Sequence, residues 1–135
     1  MEDFVPYELA LKLKDKGFRK PCIATYDKDG MLGYNYVQPT SIRAVGFEEC
    51  LVYSNDCVMA PTISQVLKWL REEKNMFIEM FLYNGKYSYL VKSVTQICED
   101  DLFHECLNDG TANEEYDTYE EAALAGIKYT IDNLI

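Results

Sequence analysis

The chain predicts a single α+β domain of order αββαββα, with a mostly antiparallel sheet and helices packed on one face. Three observations carry that expectation. A helix followed by a hairpin pattern occurs twice. The second hairpin turns on Asn84-Gly85, the strongest short hairpin signal, because a type I′ turn needs positive φ at both central residues. The final stretch then shows small and apolar residues at helical spacing. No strand–helix–strand run demands a parallel crossover. A chain of 135 residues fits one domain. At that size roughly two-thirds of the unfolded surface can be buried.

The first helix is expected over Val5–Phe18. Pro6 suits a first helical position, where its missing N–H costs nothing. Val5, Leu9 and Leu13 recur at helical spacing, Lys12, Lys14 and Lys16 favour the C-terminal half, and Gly17 is a natural stop. Phe18 is expected to tuck back under the helix. "PCIATYDKDGMLGYNYV" then reads as strand, turn and strand, with Asp27-Lys28-Asp29-Gly30 as the turn. From Gln38 to Ala60 the pattern is weak; "EECLVYSND" offers one short strand, and a hidden element is expected there.

Thr62-Ile63-Ser64-Gln65 is a capping box that opens the second helix. Ile63, Val66, Leu67 and Leu70 form one apolar stripe. Trp69 stands beside that stripe, and Asn75 can end the helix in a left-handed conformation. In the strands around Asn84-Gly85 neither face is clearly polar, which suits a sheet with one face under helices and the other partly covered. A short helix is expected around "DDLFHECL", and a loop at "NDGTANEEYD". Thr118-x-x-Glu121 is a second capping box. Tyr119, Ala122, Ala123, Gly126, Ile127, Thr130, Ile131 and Leu134 form the inner face of the last helix, small enough for close packing on a sheet.

The net charge is −10, and its placement says more than its size. Ten acids lie between Ile97 and Glu121 with no Lys or Arg among them, while the rest of the chain balances 13 acids against 13 bases. Such a segment repels phosphate backbones and steers basic partners. The apolar runs are too short for a membrane helix. The start of the chain has acids before its apolar residues and is not read as a secretory signal, so a cytoplasmic location is expected. The five cysteines include no CxxC pair, and in that location they read as buried or half-buried thiols.

"YELALKLKDKGF", "PCIATYD", "APTISQVLKWLREEKN" and the tail "YEEAALAGIKYTIDNLI" together resemble a family. It consists of short uncharacterised proteins encoded in phage and mobile-element regions of gut anaerobic bacteria. The resemblance spans most of the chain in order, and its most specific block is "APT-S-QVL-WLRE". It implies a bacterial setting among the accessory genes of mobile DNA. The family has no assigned activity, cofactor or catalytic residues, so no residue role carries over.

Cys98, His104 and Cys106 lie close in sequence, but zinc wants four ligands in closely spaced pairs, and Cys50 and Cys57 would have to complete the set. "TYDKDG" echoes a calcium loop through Asp27, Asp29 and Gly30, yet Thr25 and Tyr36 fill the positions that need carboxylates. His104 with Cys57 or Cys22 could form a nucleophile–base pair, though no nucleophile motif surrounds either cysteine. Glu48-Glu49, Glu72-Glu73 and Asp100-Asp101 read as solvated faces. There is no glycine-rich phosphate loop. No catalytic, cofactor-binding or metal-ligating residue is therefore expected.

A helix followed by a hairpin also describes a winged helix. Gln65, Lys68, Arg71 and Lys86 would then be the DNA face, with Lys74 and Lys92 nearby. The sparse bases and the acidic segment make nucleic acid the second reading. An enzyme or metal protein using His104 is the third. The first is a small binding protein with a protein partner, itself basic. Its candidate surface is Asp100, Asp101, Glu105, Glu114, Glu115 and Tyr116. The eleven tyrosines add to it, because Tyr buries area while keeping a polar handle. A homodimer stays open.

Overall fold

The computed structural model describes residues 3–38, 41–42, 44–49, 57–98, 101–106 and 114–135; for 36–38, 41–42, 94–98 and 101–106 only the backbone is considered. The chain is an α+β protein, and all strand pairings among the described residues are antiparallel. It divides into two compact units, Met1–Thr62 and Ile63–Ile135.

The first unit begins with helix α1, Tyr7–Asp15, capped by Pro6. Proline thus stands one residue earlier than expected, in extended backbone outside the first turn. Gly17 adopts φ +94° and ends the helix in a Schellman motif: the Gly17 N–H donates to the Lys14 carbonyl and the Phe18 N–H to that of Leu13. This reversal carries Phe18 into the core with Val5, Leu9 and Leu13. Strand β1, Ala24–Tyr26, lies between β2, Leu32–Tyr34, and β5, Val58–Met59, and α1 packs on β5. The β1–β2 turn is held by Asp27, whose Oδ1 accepts from the Asp29 and Met31 amides at 2.9 Å each. Gly30 supplies φ +78°.

A second ribbon pairs β3, Tyr36–Gln38, with β4, Ser41–Ile42. The hidden elements of the weak region are therefore β4, a Cys22–Val45 bridge, a helical turn at 47–49 and β5. Glu48 and Glu49 sit in that turn rather than in a strand; the remainder of "EECLVYSND" lies outside the described residues.

The second unit opens with α2, Ile63–Glu73, followed by Asn75 at φ 56°. The expected stripe Ile63, Val66, Leu67 and Leu70 is buried. Trp69 joins it at 2 % exposure, so the core claims a residue the pattern had left beside it. Its indole widens the buried face, and Lys74 Nζ lies 5.4 Å from the ring centroid.

Strands β6, Met76–Tyr83, and β7, Lys86–Cys98, form the hairpin, with Asn84 at φ 51° and Gly85 at φ 78° as the type I′ turn requires. Helix α3, Tyr119–Asn133, packs on both strands, and α2 packs on β6 and α3. A Cβ on Gly126 would sit 2.7 Å from Ile78 Cγ2 and 3.2 Å from the Tyr89 ring, so only glycine allows this approach. Ile78 and Tyr89 share a sheet face in the register Ile78↔Val91, Met80↔Tyr89. The close approach anticipated from the small residues of this helix is therefore present. Two residues of the expected inner face fall outside it: Tyr119 is exposed at the first helical position, and Leu134 is the half-buried C-cap.

The expected helix at "DDLFHECL" is instead a strand, β8, Asp101–Cys106. The reason lies in β7. Strand β6 pairs with Lys86–Ser93 and leaves Val94–Cys98 beyond its reach. The edge of β7 opposite β6 carries its own row of backbone groups, and β8 turns back to pair with them over Lys92–Cys98.

Candidate functional site

Strand β7 decides where the acidic segment goes. On the edge opposite β6 it receives β8 along its C-terminal half. On the same edge Tyr87 and Tyr116 exchange backbone hydrogen bonds of 2.8 and 2.7 Å. The acidic segment is therefore strung along one edge of one strand.

This arrangement separates the candidate residues. Asp101 pairs with Cys98 and Glu105 with Ser93, whereas Tyr116 pairs with Tyr87. From Tyr87 to Cys98 is roughly 35 Å at about 3.3 Å per residue. Asp101 and the Glu114–Tyr116 group thus lie at opposite ends of β7 and do not form one patch. Asp100 lies outside the described residues. What remains together is the group at the hairpin end, built from Glu114, Glu115 and Tyr116 and extended by residues distant from it in sequence or outside the expected surface.

The added residues are Leu82, Tyr83, Lys86, Asp117, Tyr119, Glu120 and Glu121. Leu82 and Tyr83 close β6 with 62 % and 61 % exposure, and Tyr119 opens α3 with 44 %. Leu82 shares a sheet face with its partner Tyr87, whose ring meets Tyr119 edge-on at 6.3 Å. Lys86 faces Tyr83 across the turn and forms an ion pair with Asp117. Hydrogen bonding and charge in that pair raise the Lys86 pKa above and lower the Asp117 pKa below their ordinary values. The Tyr116 hydroxyl donates to Glu114. Burial, and then this carboxylate, push the Tyr116 phenol well above its usual range. The Thr118 hydroxyl accepts from the Glu121 amide at 3.1 Å, and the Glu121 carboxylate accepts from the Asp117 amide at 3.3 Å. The second capping box is therefore formed, with its return bond one residue upstream of the cap.

Glu114, Glu115, Asp117, Glu120 and Glu121 are all exposed, and Lys86 is the base among them. The surface can attract and hold cations beside exposed apolar and aromatic groups. The signal for it in the sequence was the alternation of Glu with Tyr from Glu114 to Glu121. Joining that alternation to Leu82-Tyr83 required the Tyr87–Tyr116 bridge, which no local pattern announces.

The other candidates fall apart or are occupied. Lys68 lies 3.9 Å from Glu72 in an exposed i,i+4 pair, and Lys86 is held by Asp117. Two bases of the proposed DNA face thus stand in exposed ion pairs, with Gln65 and Arg71 on α2. His104 pairs with Val94, three residues along β8 from Asp101 and hence roughly 10 Å from the level of Cys98. Cys57 is in a disulfide and offers no thiolate. The expected reading of all five cysteines as thiols is corrected at that position. Cys22 is a free thiol buried in the core, its pKa pushed up to about 12 by burial, so it stays protonated at neutral pH. Thr25 and Tyr36 lie on β1 and β3, and Asp27 is consumed by its turn, so "TYDKDG" is a hairpin.

No helix among the described residues is long and apolar enough to cross a membrane. The chain matches no family model, no curated protein and no solved structure.

Proposed function

We propose that the chain is a small acidic binding protein whose partner is a basic protein, docked at the hairpin end of the second unit. The observation that carries this reading is the grouping of five exposed carboxylates, Glu114, Glu115, Asp117, Glu120 and Glu121, with the exposed side chains of Leu82, Tyr83 and Tyr119. Exposed apolar residues rimmed by charge mark interaction sites, and one sign of charge selects partners of the other. In the setting the resemblance implies, accessory genes of mobile DNA, the target would be a basic host factor. Binding, not catalysis, is the proposed activity.

The test is a titration of labelled basic and acidic proteins at low and physiological salt, with wild type and with Glu114, Glu115, Glu120 and Glu121 changed together to Gln. The expected result is salt-sensitive binding of the basic proteins alone, weakened in the variant. Equal binding by both forms would remove the reading.

The compartment is where residue pattern and structure pull apart. The start of the chain suggested the cytoplasm, whereas a disulfide at Cys57 suits an oxidising setting. Counting thiols in protein denatured without reductant decides this. One disulfide leaves no more than three of the five cysteines reactive; five reactive thiols would return the protein to a reducing compartment.

A further inference from the structure

We propose that a second copy of this chain adds its β6 to β6 across a two-fold axis, joining the two sheets edge to edge. The contact uses backbone groups and does not rest on the binding reading above. It starts from the phase of the hairpin's hydrogen bonds. Tyr87 spends its N–H and C=O on Tyr116, on the edge of β7 away from β6. The Leu82↔Tyr87 pair is therefore a non-hydrogen-bonded one, and Leu82 aims its own N–H and C=O away from β7. Every second residue does the same. Met76, Ile78, Met80 and Leu82 thus present a row of donors and acceptors along the outer edge of β6. Among the described residues no strand pairs with that row.

Natural sheets blunt an open edge with proline, charge, a bulge or a short strand. None of these guards β6. It is 8 residues long, holds no proline, and keeps an unbroken register with β7 from Met76 to Tyr83. Its one charged residue, Glu79, is drawn to Lys92 of β7 at 2.8 Å. A long apolar strand with unpaired backbone suits strand addition, in which one more strand continues the ladder.

Charge placement selects a second copy as that strand. The chain carries a net charge of −10, yet its acidic segment lies along the edge of β7 opposite β6. In the joined sheet the two β8 strands stand five spacings apart, roughly 24 Å at about 4.8 Å each. That is about three Debye lengths in physiological salt, so the two segments are screened from each other. Antiparallel pairing also carries the two hairpin ends, with their carboxylates, to opposite ends of the contact. The register follows from the same alternation, because outward residues must face outward residues. A two-fold centred on Glu79 would set two carboxylates opposite each other, which is unfavourable. Centring it on Met80 pairs Ile78 with Leu82, Phe77 with Tyr83 and Glu79 with Phe81. The exposed Leu82 and Tyr83 then gain apolar partners, and no like charges meet.

The test is sedimentation equilibrium of the full chain over a concentration series, with amide hydrogen exchange by NMR at both ends of it. Wild type is expected to dimerise as concentration rises. At the dilute end the Ile78, Met80 and Leu82 amides should exchange fast while Phe77, Glu79 and Phe81 are protected. With about nine chains in ten paired, the fast set should slow about 10-fold and the alternation should fade. Met80→Pro removes the central outward donor from both copies and no β6–β7 bond, so association should weaken by about 10-fold. Leu82→Lys, at an exposed position, sets a charge opposite Ile78 and should weaken it as well. Melting temperatures at the dilute end show that the variants fold, and the exchange pattern of wild type needs no variant. A chain that stays monomeric at millimolar concentration would overturn the proposal. So would a dimer in which the outward amides still exchange fast, or one that both substitutions leave unchanged.

Discussion

The two helices of the second unit fill space in opposite ways. Helix α2 buries bulk: Ile63, Val66, Leu67, Trp69 and Leu70. Helix α3 buries little volume per residue: Ala122, Ala123, Gly126 and Thr130 lie among Ile127 and Ile131. The first is held by the side chains it contributes, and the second by how nearly its backbone approaches the sheet. The same kind of substitution should therefore act with opposite sign on them, truncation harming α2 and enlargement harming α3.

The largest effect is expected at Trp69. Trp69→Ala should cost about 3–5 kcal/mol in urea unfolding, the range for a buried large aromatic. A loss below about 1 kcal/mol would mean that α2 does not depend on bulk. Next is Gly126→Val, with about 1–3 kcal/mol from overpacking against Ile78 and Tyr89. Gly126→Ala sharpens the point, because its gain in helix propensity of about 1 kcal/mol opposes the clash. The clash falls on a methyl branched at Cβ, which has little room to turn, so a net loss is expected. Combining Gly126→Ala with Ile78→Ala should recover part of it, and strict additivity would rule out the steric account.

A smaller effect tests the end of α3 rather than its face. Thr118→Ala should remove about 1 kcal/mol by leaving the Glu121 amide without its cap. Thermal denaturation would show it, and an unchanged midpoint would place the start of the helix elsewhere. The last prediction concerns pH. The Tyr116 pKa is raised, so the phenol keeps its proton in the folded state after it would lose it unfolded. Its contribution is present below an ordinary tyrosine pKa of about 10 and is lost as pH rises past it. Absorbance titration of the phenols should therefore lose a late-titrating group in Tyr116→Phe; the disappearance of an early one would contradict the burial. For Asp117 the sign is reversed. Its lowered pKa gives a contribution present above the ordinary carboxylate range and lost on acidification, and Asp117→Asn should flatten the acid limb of the stability profile.

Much of the second unit was legible because its signals are local. Asn84-Gly85 fixed the turn, the α2 stripe fixed its buried face, and the small residues of α3 foretold its close approach. Trp69 escaped because a stripe counted on four positions is narrower than the arc a helix buries against both a sheet and another helix. Strand β8 escaped because "DDLFHECL" has no strong pattern of its own; its state follows from pairing with the edge of β7 opposite β6. The short strands of the first unit, two or three residues each, hold too few positions to show a period. The charge segment was visible as composition, but not its division between two ends of one strand.

The bridge between Tyr87 and Tyr116 also bears on the order of assembly. Both hairpins of the sheet, β6–β7 and β7–β8, close over very short connections, at Asn84-Gly85 and between Cys98 and Asp101. Tyr116 reaches back to Tyr87 across a far longer loop, whose closure costs entropy that local pairing does not. The hairpins can therefore form early, with the Tyr116 latch and the seating of α3 following. Weakening the Asn84-Gly85 turn should slow folding, whereas Tyr116→Ala should mainly speed unfolding. The end of the molecule that carries the exposed carboxylates and rings would then be completed last, and be the first to open.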